Sequence, residues 1–462
     1  TNTDTYNVAV GAAAGTAVTT GVQNTLIGGL AGDALTDADY NVAVGKESLT
    51  AMTLGSRNVG VGTFTLMSAN VTTATDTYNT AVGHHAGASV TTGTSNTLIG
   101  GLAGDALTTA AANVAVGKSA LSADTLGSAS TAIGRGALKV QNFTTATNAY
   151  NTAVGAFAGE AVTTGANNTL IGGLSGDALT TGAGNVAVGT SSLSASQTGN
   201  NGTAVGYGAL AATTTSDNTG IGYLAGQAVT TGIENTLIGS LAGDALTDAD
   251  FNVAIGVESL GSDTLGSKTV AIGVGALNAQ NFTTATDTFN VAVGFHAGND
   301  ITTGDSNTLI GALAGDALTV GNSNVVMGLN SLGSDTKGDR SVAIGMAALS
   351  AQNFTTTTDT YNVAVGYTAG AAVTTGVRNT IIGGRAGDAL TDADFNVAIG
   401  TDALTADTLG SKSIAIGVDA LGNQNFTTAT DSFNTAVGHS AGLRVTTGVQ
   451  NTLIGSGAGD AL

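Results

Sequence analysis

The sequence is informative first through what it lacks. Its 462 residues include no proline, no cysteine and no tryptophan, and only 10% of them are charged. Without cysteine there is no disulfide framework and no thiol chemistry, and the redox compartment stays open. Few large side chains are available to fill a thick globular core. No apolar run approaches the roughly 18 residues that a membrane-spanning helix needs. Ordinary globular domains and membrane insertion are therefore both disfavoured.

Clusters of positive charge are also missing from the sequence. The formal net charge is −20, from 12 basic and 32 acidic residues, and the basic residues are scattered along the chain. Because a nucleic-acid surface needs clustered lysine and arginine, we expect no nucleic-acid partner. The first residues, TNTDTYN, have neither the charged nor the apolar region of a secretory leader. Since TDTYN recurs at 75–79 at the end of a repeat, we expect this chain to be an excerpt from a longer protein.

What the chain has instead is glycine, 70 residues of it, and repetition. A five-residue box, N-[TV]-[AL]-[VI]-G, occurs 26 times, with steps of 17, 17, 17 and 21 residues that add up to a 72-residue repeat. The repeats start near residues 7, 79, 151, 218, 290, 362 and 434, and 1–462 is predicted to be a single continuous array. One step, from Gly202 to Asn218, is only 16 residues long.

Each box position has a physical interpretation. Position 5 is glycine in every copy, including Gly11, Gly28 and Gly83, which indicates a positive φ or a close backbone approach. Positions 2 and 4 are β-branched, except for Met327, as a strand prefers. Position 3 is mostly alanine and faces the other way. Because no charge occurs at positions 2 to 4, both strand faces are predicted to be buried.

These features predict an all-β fold, a parallel β-solenoid or β-roll of about 26 coils of 17 residues. Coils stacked at about 4.8 Å would form a rod roughly 125 Å long. Asparagine leads 21 of the 26 boxes, including Asn7, Asn24 and Asn79, and stacked asparagines can form a hydrogen-bonded ladder. Since a small coil encloses little volume, we expect identical chains to pack together, intertwined or side by side, most simply as a homotrimer.

The boxes NTAVGHHAG, NTLIGGLAG and NVAVGKESL resemble the head repeats of trimeric autotransporter adhesins, a left-handed parallel β-roll of three chains. They are still more similar to the N-T-A-[VF]-G-x-x-A-[GL] arrays of phage tail-fibre proteins. The resemblance covers essentially the whole chain, and it implies a trimeric fibre. The autotransporter head repeats are shorter than the 17-residue step of this chain, so we expect a larger coil here.

Calcium is the first candidate ligand. Residues 28–36 read GGLAGDALT, close to the G-G-x-G-x-D-x-U-x loop of calcium-binding β-helices. The fourth position of this segment is alanine rather than glycine, and no adjacent coil carries a second copy. We therefore interpret the aspartate of each copy as part of a solenoid corner, at Asp33, Asp105, Asp177, Asp244, Asp316, Asp388 and Asp460. Paired carboxylates in TDAD loops are weak metal candidates, at Asp37, Asp39, Asp248, Asp250, Asp392 and Asp394. Other repeats read TAAAN or TGAGN at this place, which favours the interpretation of these loops as solvated turns. We expect no cofactor.

Histidines and phenylalanines recur at fixed places. His84, His85, His296 and His439 follow the box glycine, and we interpret them as surface or packing residues rather than a metal ring on a trimer axis. The long fourth coil contains QNFTTATD or a relative, with Phe143, Phe282, Phe354 and Phe426. We expect its extra residues to bulge with the ring folded back as a plug. The alternative is that these phenylalanines are ligand-contacting surface knobs. The same segment carries glycosylation sequons at Asn70, Asn142, Asn281, Asn353 and Asn425.

No catalytic constellation is apparent, since every polar candidate is repeated many times and an enzyme needs one convergent pocket. We therefore expect no enzyme. The first hypothesis is a structural shaft of a phage tail fibre or microbial surface adhesin, a rigid spacer on a virion or cell surface whose main partner is itself. The alternative is a repeat-surface binding module for a glycan or a matrix protein. A weaker third hypothesis is an ice-binding solenoid, because no continuous threonine ladder is evident.

Overall fold

The computed structural model describes residues 4–460, and over this range the chain is a parallel β-solenoid of about 26 turns. Strands, turns and bends alternate along it, and none of the described residues is helical. The predicted all-β parallel solenoid is thus confirmed. By compactness the chain divides into an N-terminal unit, Thr1–Ile233, and a C-terminal unit, Glu234–Leu462.

The described part of the N-terminal unit has thirteen three-residue strands, each formed by positions 2 to 4 of a box, and four two-residue strands. In chain order they are β1 Val8–Val10, β2 Thr25–Ile27, β3 Val42–Val44, β4 Gly55–Ser56, β5 Val59–Val61, β6 Thr75–Asp76, β7 Thr80–Val82, β8 Thr97–Ile99, β9 Val114–Val116, β10 Gly127–Ser128, β11 Thr131–Ile133, β12 Thr147–Asn148, β13 Thr152–Val154, β14 Thr169–Ile171, β15 Val186–Val188, β16 Thr203–Val205 and β17 Thr219–Ile221.

The described part of the C-terminal unit has thirteen box strands and six two-residue strands. They are β18 Thr236–Ile238, β19 Val253–Ile255, β20 Gly266–Ser267, β21 Val270–Ile272, β22 Thr286–Asp287, β23 Val291–Val293, β24 Thr308–Ile310, β25 Val325–Met327, β26 Gly338–Asp339, β27 Val342–Ile344, β28 Thr358–Asp359, β29 Val363–Val365, β30 Thr380–Ile382, β31 Val397–Ile399, β32 Gly410–Ser411, β33 Ile414–Ile416, β34 Thr430–Asp431, β35 Thr435–Val437 and β36 Thr452–Ile454.

Strand pairing follows the boxes. Within each unit, each box strand pairs in parallel with the next one, and equal box positions lie opposite each other. Between β2 and β3, for example, Leu26 lies opposite Ala43. The two-residue strands pair only where a long fourth coil occurs, as β4 does with β6 and β26 with β28. The register is therefore set by the box and does not depend on the length of the coil between boxes.

The two faces of each box strand differ in burial, which corrects one prediction. Position 3 points inward and is buried, as at Leu26 and Ala43. Positions 2 and 4 point outward, and Ile27 and Ile310 keep 39% and 36% of their surface exposed. The expectation that both faces are buried is wrong for a single chain. A coil that closes on itself has one inner face only, so the outer row stays apolar without being covered.

The core of each coil is built from small and medium side chains. Leu35, Leu49, Leu98 and Leu107 are fully buried, and alanines fill the space between leucines of successive coils. The small residue and the Gly or Leu that follow the box form a turn. Leu49 takes a φ of 55° in that turn, which directs its side chain inward although this conformation is costly outside glycine. Each coil thus closes around its own core.

The box glycines stack on each other. Gly28 has a φ of 137°, and a Cβ built on it would lie 2.5 Å from the carbonyl oxygen of Gly45 in the next coil. Gly11 and Gly83 have φ values of 136° and 128° and a similar neighbour. Both predicted reasons for glycine therefore apply here, the positive φ and the close backbone approach. Any larger residue would push successive coils apart.

The box asparagines form a buried ladder. The Oδ1 atom of Asn24 accepts from the backbone N–H of Asn41 at 3.0 Å, and its Nδ2 donates to the Ala38 carbonyl at 2.7 Å. Its own backbone N–H donates to Oδ1 of Asn7 at 2.8 Å, and Asn79 makes the same bonds. The hydrogen-bonded asparagine column that the pattern predicts is therefore present. Its regular rungs join a side chain to a backbone N–H of the next coil.

Candidate binding surfaces

The long fourth coil replaces the ladder by a buried bridge of polar side chains. In the fourth repeat, the fourth box begins with Thr269 instead of asparagine. Gln280 donates from Nε2 to Oδ2 of Asp263 at 2.6 Å and to Oγ1 of Thr269 at 3.2 Å. Its Oε1 accepts from Nδ2 of Asn290 at 2.9 Å. Asp263 and Gln280 are both fully buried. The glutamine side chain thus connects two coils where the ladder would otherwise be interrupted.

The buried carboxylate of this bridge is well supplied with donors. Besides Gln280, Asp263 accepts from the backbone N–H groups of Gly266 at 3.1 Å and Phe282 at 3.0 Å. Equivalent bridges occur in three other repeats, at Asp124–Ser130–Gln141–Asn151, Asp335–Ser341–Gln352–Asn362 and Asp407–Ser413–Gln424–Asn434. Sequence reasoning missed these residues. The available signal was that the aspartate, the glutamine and a box without its leading asparagine occur together.

The four phenylalanines of the long coils are buried, which corrects the surface-knob alternative. Phe143, Phe282, Phe354 and Phe426 each keep only 6–7% of their surface exposed. The backbone N–H of Phe354 donates to Oδ1 of Asp335 at 3.1 Å, so that the buried bridge positions the start of the extension. The rings therefore fold back into the coil and offer no contact surface. The sequon asparagines beside them are exposed, at Asn70, Asn142, Asn281, Asn353 and Asn425.

The candidate calcium aspartates of the TDAD loops are used in coil-to-coil hydrogen bonds. Asp37 accepts from the hydroxyl of Thr20 at 2.5 Å, and Asp39 accepts from the backbone N–H of Val22 at 2.7 Å. Asp392 and Asp394 make the same two kinds of bond. Asp248 and Asp250 occupy the equivalent positions in the C-terminal unit. Within residues 4–460, no three acidic or histidine side chains converge as a metal-binding group.

The aspartates of the GLAGDAL corners fall into two classes. Asp33 and Asp388 accept from threonine hydroxyls one coil later, those of Thr50 and Thr405, at 2.5 and 2.6 Å. In the other class, serine or glycine replaces that threonine, so the carboxylate has no hydroxyl donor from the next coil. The buried Oδ1 atoms of three of these aspartates have no hydrogen-bond partner, at Asp105, Asp177 and Asp316. Burial raises the pKa of four carboxyls above the usual value, those of Asp105, Asp177, Asp244 and Asp316. Asp460 is exposed.

The histidines lie on the surface beside aromatic rings. His84 and His85 have ring centres 4.2 Å apart, and Phe64 lies 4.9 Å from His85. His296 packs at 4.2 Å from Phe295. The fourth histidine, His439, has its Nδ1 atom 3.0 Å from the hydroxyl of Ser440. Their neighbours are thus rings and a hydroxyl, which agrees with a packing role.

Three threonines outside the boxes that bear on the ice-binding hypothesis donate hydrogen bonds to the protein itself. The hydroxyl of Thr302 donates to the Thr319 carbonyl at 3.1 Å, and that of Thr319 donates to the Thr336 carbonyl at 2.9 Å. The same bond joins Thr36 to Thr53 at 3.1 Å. These hydroxyl hydrogens point along the coil stack and are not free to order surface water. These three threonines therefore give the ice-binding hypothesis no support.

Exposed aromatic rings form a column immediately before the boxes, which sequence reasoning did not identify. We call this set the aromatic column. Its residues adopt φ values near 50–60°, as at Tyr40 and Phe251, because the chain reverses there to enter the strand. Each ring keeps between 44% and 70% of its surface exposed, at Tyr6, Tyr40, Tyr78 and Tyr150 in the N-terminal unit and at Phe251, Phe289, Tyr361, Phe395 and Phe433 in the C-terminal unit.

Cations alternate with these rings. Lys412 Nζ lies 5.2 Å from the ring centre of Phe433, and the Arg378 guanidinium lies 5.3 Å from that of Phe395. Lys268 combines a ring with a carboxylate, since its Nζ lies 5.5 Å from the Phe289 ring centre and 2.5 Å from Asp287. Arg57, Arg340 and Lys412 combine a ring and an aspartate in the same way. Because these ion pairs are exposed, solvent screens them and they add little to stability.

A membrane-crossing helix is not found in residues 4–460. No protein-family model matches the chain, and no curated protein matches it at a significant level. The functional proposals below therefore rest on the fold, on the two outer surfaces and on the repeat pattern. Those surfaces are the aromatic column and the uncharged outer row of box positions 2 and 4, in which position 4 is apolar and position 2 is valine, isoleucine or threonine.

Proposed function

We propose that this chain is part of a structural shaft, such as that of a phage tail fibre or a microbial surface adhesin, and that it acts outside the cell as a rigid spacer. The observation that supports this proposal is the repeated bonding between coils. Within each unit, each box strand is in register with the next, and the asparagine ladder and the glycine stack join the same coils. Stability of such an array comes from many equal nearest-neighbour interfaces, which suits an element under mechanical load.

The outer row of the box strands supports self-association. Several isoleucines at position 4 keep more than a third of their surface exposed, as at Ile27, Ile99, Ile310 and Ile382. Thirteen strands stacked at about 4.8 Å make this row roughly 60 Å long in each unit. A contiguous apolar surface of that extent marks an interaction site. In the proposed shaft, two further copies of the chain cover this row, as in a homotrimer.

The experiment for the shaft combines mass and shape. Light scattering is expected to give a mass near three chains, and electron micrographs should show rods on the order of 125 Å long. Replacing Ile310 and Ile382 together by lysine places charges on the outer row, and should reduce the mass towards one chain. Val257→Lys is the matched control, because Val257 is also exposed but lies outside the strand row. A compact particle of one chain would contradict the shaft.

A second candidate function is a repeated binding surface for a glycan, and the aromatic column favours it. Exposed rings that recur two or four coils apart within each unit can stack on the apolar faces of sugar rings, and aromatic side chains are enriched at recognition surfaces. The cations between the rings restrict their orientation through contacts of 5.2 to 5.8 Å. In this function the shaft itself binds along its length.

A glycan array followed by calorimetry tests the second candidate. Replacing Tyr361, Phe395 and Phe433 by alanine removes adjacent members of the column and should lower affinity for any array hit about tenfold or more. The matched control replaces Phe295 and Tyr367, which are each 55% exposed but lie outside the column. Equal losses in both variants, or no saccharide binding by the intact protein, would reject this function and leave the shaft as a spacer.

A further inference from the structure

Three of the twelve basic residues, scattered in the sequence, come together on one face of the second repeat. We call Lys118, Arg135 and Lys139 the cation cluster. They line a cleft of about 190 Å³ together with Ser119, Gly136 and Phe157. Lys118 and Arg135 each follow a box glycine in successive coils, so they stand one above the other.

The cation cluster has more positive charge than its own carboxylates balance. Lys139 Nζ lies 3.0 Å from Oε1 of Glu160. Within the described part of the chain, Lys118 and Arg135 have no acidic side chain within ion-pair distance. The Arg135 guanidinium lies 5.1 Å from the ring centre of Phe157. Like charges in neighbouring coils destabilise a sheet, so this arrangement has a cost that an anion would remove.

The other repeats show that the solenoid does not require these charges. The position of Lys118 is occupied elsewhere by Lys46, Thr190, Val257, Leu329 and Thr401, and that of Arg135 by Thr63, Tyr207, Val274, Met346 and Val418. The position of Lys139 is occupied by Met67, Ala211, Asn278, Ser350 and Gly422. Only the second repeat carries a cation at all three positions. The cation cluster is therefore a local feature in an otherwise uniform array.

We infer that the cation cluster is a binding site for a tetrahedral oxyanion, the sulfate or phosphate group of a small ligand. Arg135, held against Phe157, presents a planar set of N–H donors that suits such a group, and Lys118 adds a point charge from the neighbouring coil. The Ser119 side chain borders the same cleft. This site lies in an acidic protein with a net charge of −20, so its attraction for anions is local and depends on direct contact.

Calorimetric titration of the full chain with sodium sulfate and with sodium phosphate, at low ionic strength, tests this inference. We expect saturable binding at one site per chain, and the ratio of the two affinities identifies the ester group that the site prefers. Arg135→Gln should lower the affinity about tenfold or more, and Lys118→Gln about threefold to tenfold. Lys46→Gln is the matched control, because it removes one charge at the equivalent position of the first repeat, and it should change the affinity less than twofold.

Thermal melting provides a second readout that does not depend on the heat released or absorbed when the anion binds. Sulfate should raise the Tm of the wild type and of Lys46→Gln more than that of Arg135→Gln, after correction with chloride at equal ionic strength. Without sulfate, Arg135→Gln should melt at the same temperature as the wild type or higher, since a like-charge contact is removed. Absence of saturable binding, or equal affinities in the Arg135 and Lys46 variants, would overturn the site.

Discussion

The fourth coil of the first repeat and that of the fifth repeat occupy the same place in the solenoid with opposite chemistry. In the first repeat, the coil interior contains Met52, Ala69 and Val71, which are all buried and apolar. Asn58 leads the box and accepts from the hydroxyl of Thr77 at 2.7 Å and from the backbone N–H of Asn79 at 3.2 Å. The asparagine ladder therefore passes through this coil without a bridge.

In the fifth repeat the equivalent residues are Asp335, Gln352 and Phe354, and Ser341 leads the box. Gln352 donates to Asp335 at 2.6 Å and to Ser341 at 2.9 Å, and it accepts from Asn362 at 2.9 Å. The comparison shows that the side chains inside a coil are compatible with each other only as a complete set. A buried polar network is stable only when each of its members is satisfied, so single exchanges between the two sets should be costly.

The largest expected effect comes from a single exchange in the polar set. Asp335→Met introduces the residue of the first repeat and removes the acceptor for Gln352 Nε2, Gly338 N–H and Phe354 N–H. We expect it to lower the free energy of local opening by about 3–5 kcal/mol, because buried donors are left unpaired. Native-state hydrogen exchange of the amides in β27 and β29 measures this loss. Met52→Leu is the conservative control in the first repeat, with an expected cost below about 1.5 kcal/mol.

Removal of the ring tests the apolar part of the set. Phe354→Ala should cost about 3 kcal/mol, because it leaves a cavity behind a nearly buried side chain. Val71→Ala, its counterpart, should cost about half as much, since fewer atoms are removed. Urea denaturation of the two variants gives the ratio. If Phe354→Ala cost no more than Val71→Ala, the ring would not act as a plug.

Conversion of the whole polar set to the apolar set should leave the free energy of local opening nearly unchanged. The fourfold variant Asp335→Met, Ser341→Asn, Gln352→Ala and Phe354→Val gives the fifth repeat the interior of the first. We expect a change within about 1.5 kcal/mol, because replacing all partners of a buried polar network by apolar residues removes the unpaired groups as well. The same hydrogen-exchange measurement applies. A cost equal to the sum of the single exchanges would show that the four positions are independent.

The smallest effect concerns aspartates with a buried Oδ1 atom that, unlike that of Asp335, accepts no hydrogen bond. Burial raises the pKa of Asp316, and its Oδ1 has no partner. A raised pKa in the folded state favours the protonated form, so this stability is present below the unfolded pKa of about 3.9 and is lost as the pH rises through the folded pKa. Asp316→Asn should therefore melt at a higher temperature than the wild type at pH 7.

The difference between Asp316→Asn and the wild type should vanish at pH 3, where both side chains are neutral. Asp388→Asn is the matched control, because Asp388 accepts a 2.6 Å hydrogen bond from Thr405, and removal of its charge should bring no gain at pH 7. Differential scanning calorimetry at the two pH values distinguishes the variants. A gain of equal size at both pH values would show that charge is not the cause.

Much of the fold follows from a short pattern. β-Branched residues around a small or leucine side chain, ended by glycine, predict the strands and their register, because a three-residue strand has only two faces and a fixed alternation. The leading asparagine predicts the ladder for the same reason, since equal positions of successive coils lie about one strand spacing apart. The outer face was predicted wrongly for a single chain, because absence of charge does not distinguish a row that faces the core from an uncharged row that stays partly exposed.

The sites were less predictable than the fold. The bridge of Asp263 and Gln280 joins residues from two coils, and within each unit the successive rings of the aromatic column are 34 to 72 positions apart and lie in different loops. Neither contains a local motif. For Phe143 and its equivalents the sequence left two interpretations open, a ring folded back as a plug and a surface knob, and the structure turns the ring inward.

By itself, the sequence determines the repeat length, the strand positions, the parallel pairing and the glycine and asparagine columns, because each of these depends on one position repeated at a constant step. The tertiary structure alone decides which side of each loop faces solvent. That choice depends on the positive φ values of residues such as Leu49 and Tyr40, which rotate one side chain into the core and the other out of it. It thereby places the buried bridges inside and brings the rings and cations of neighbouring coils together on the surface.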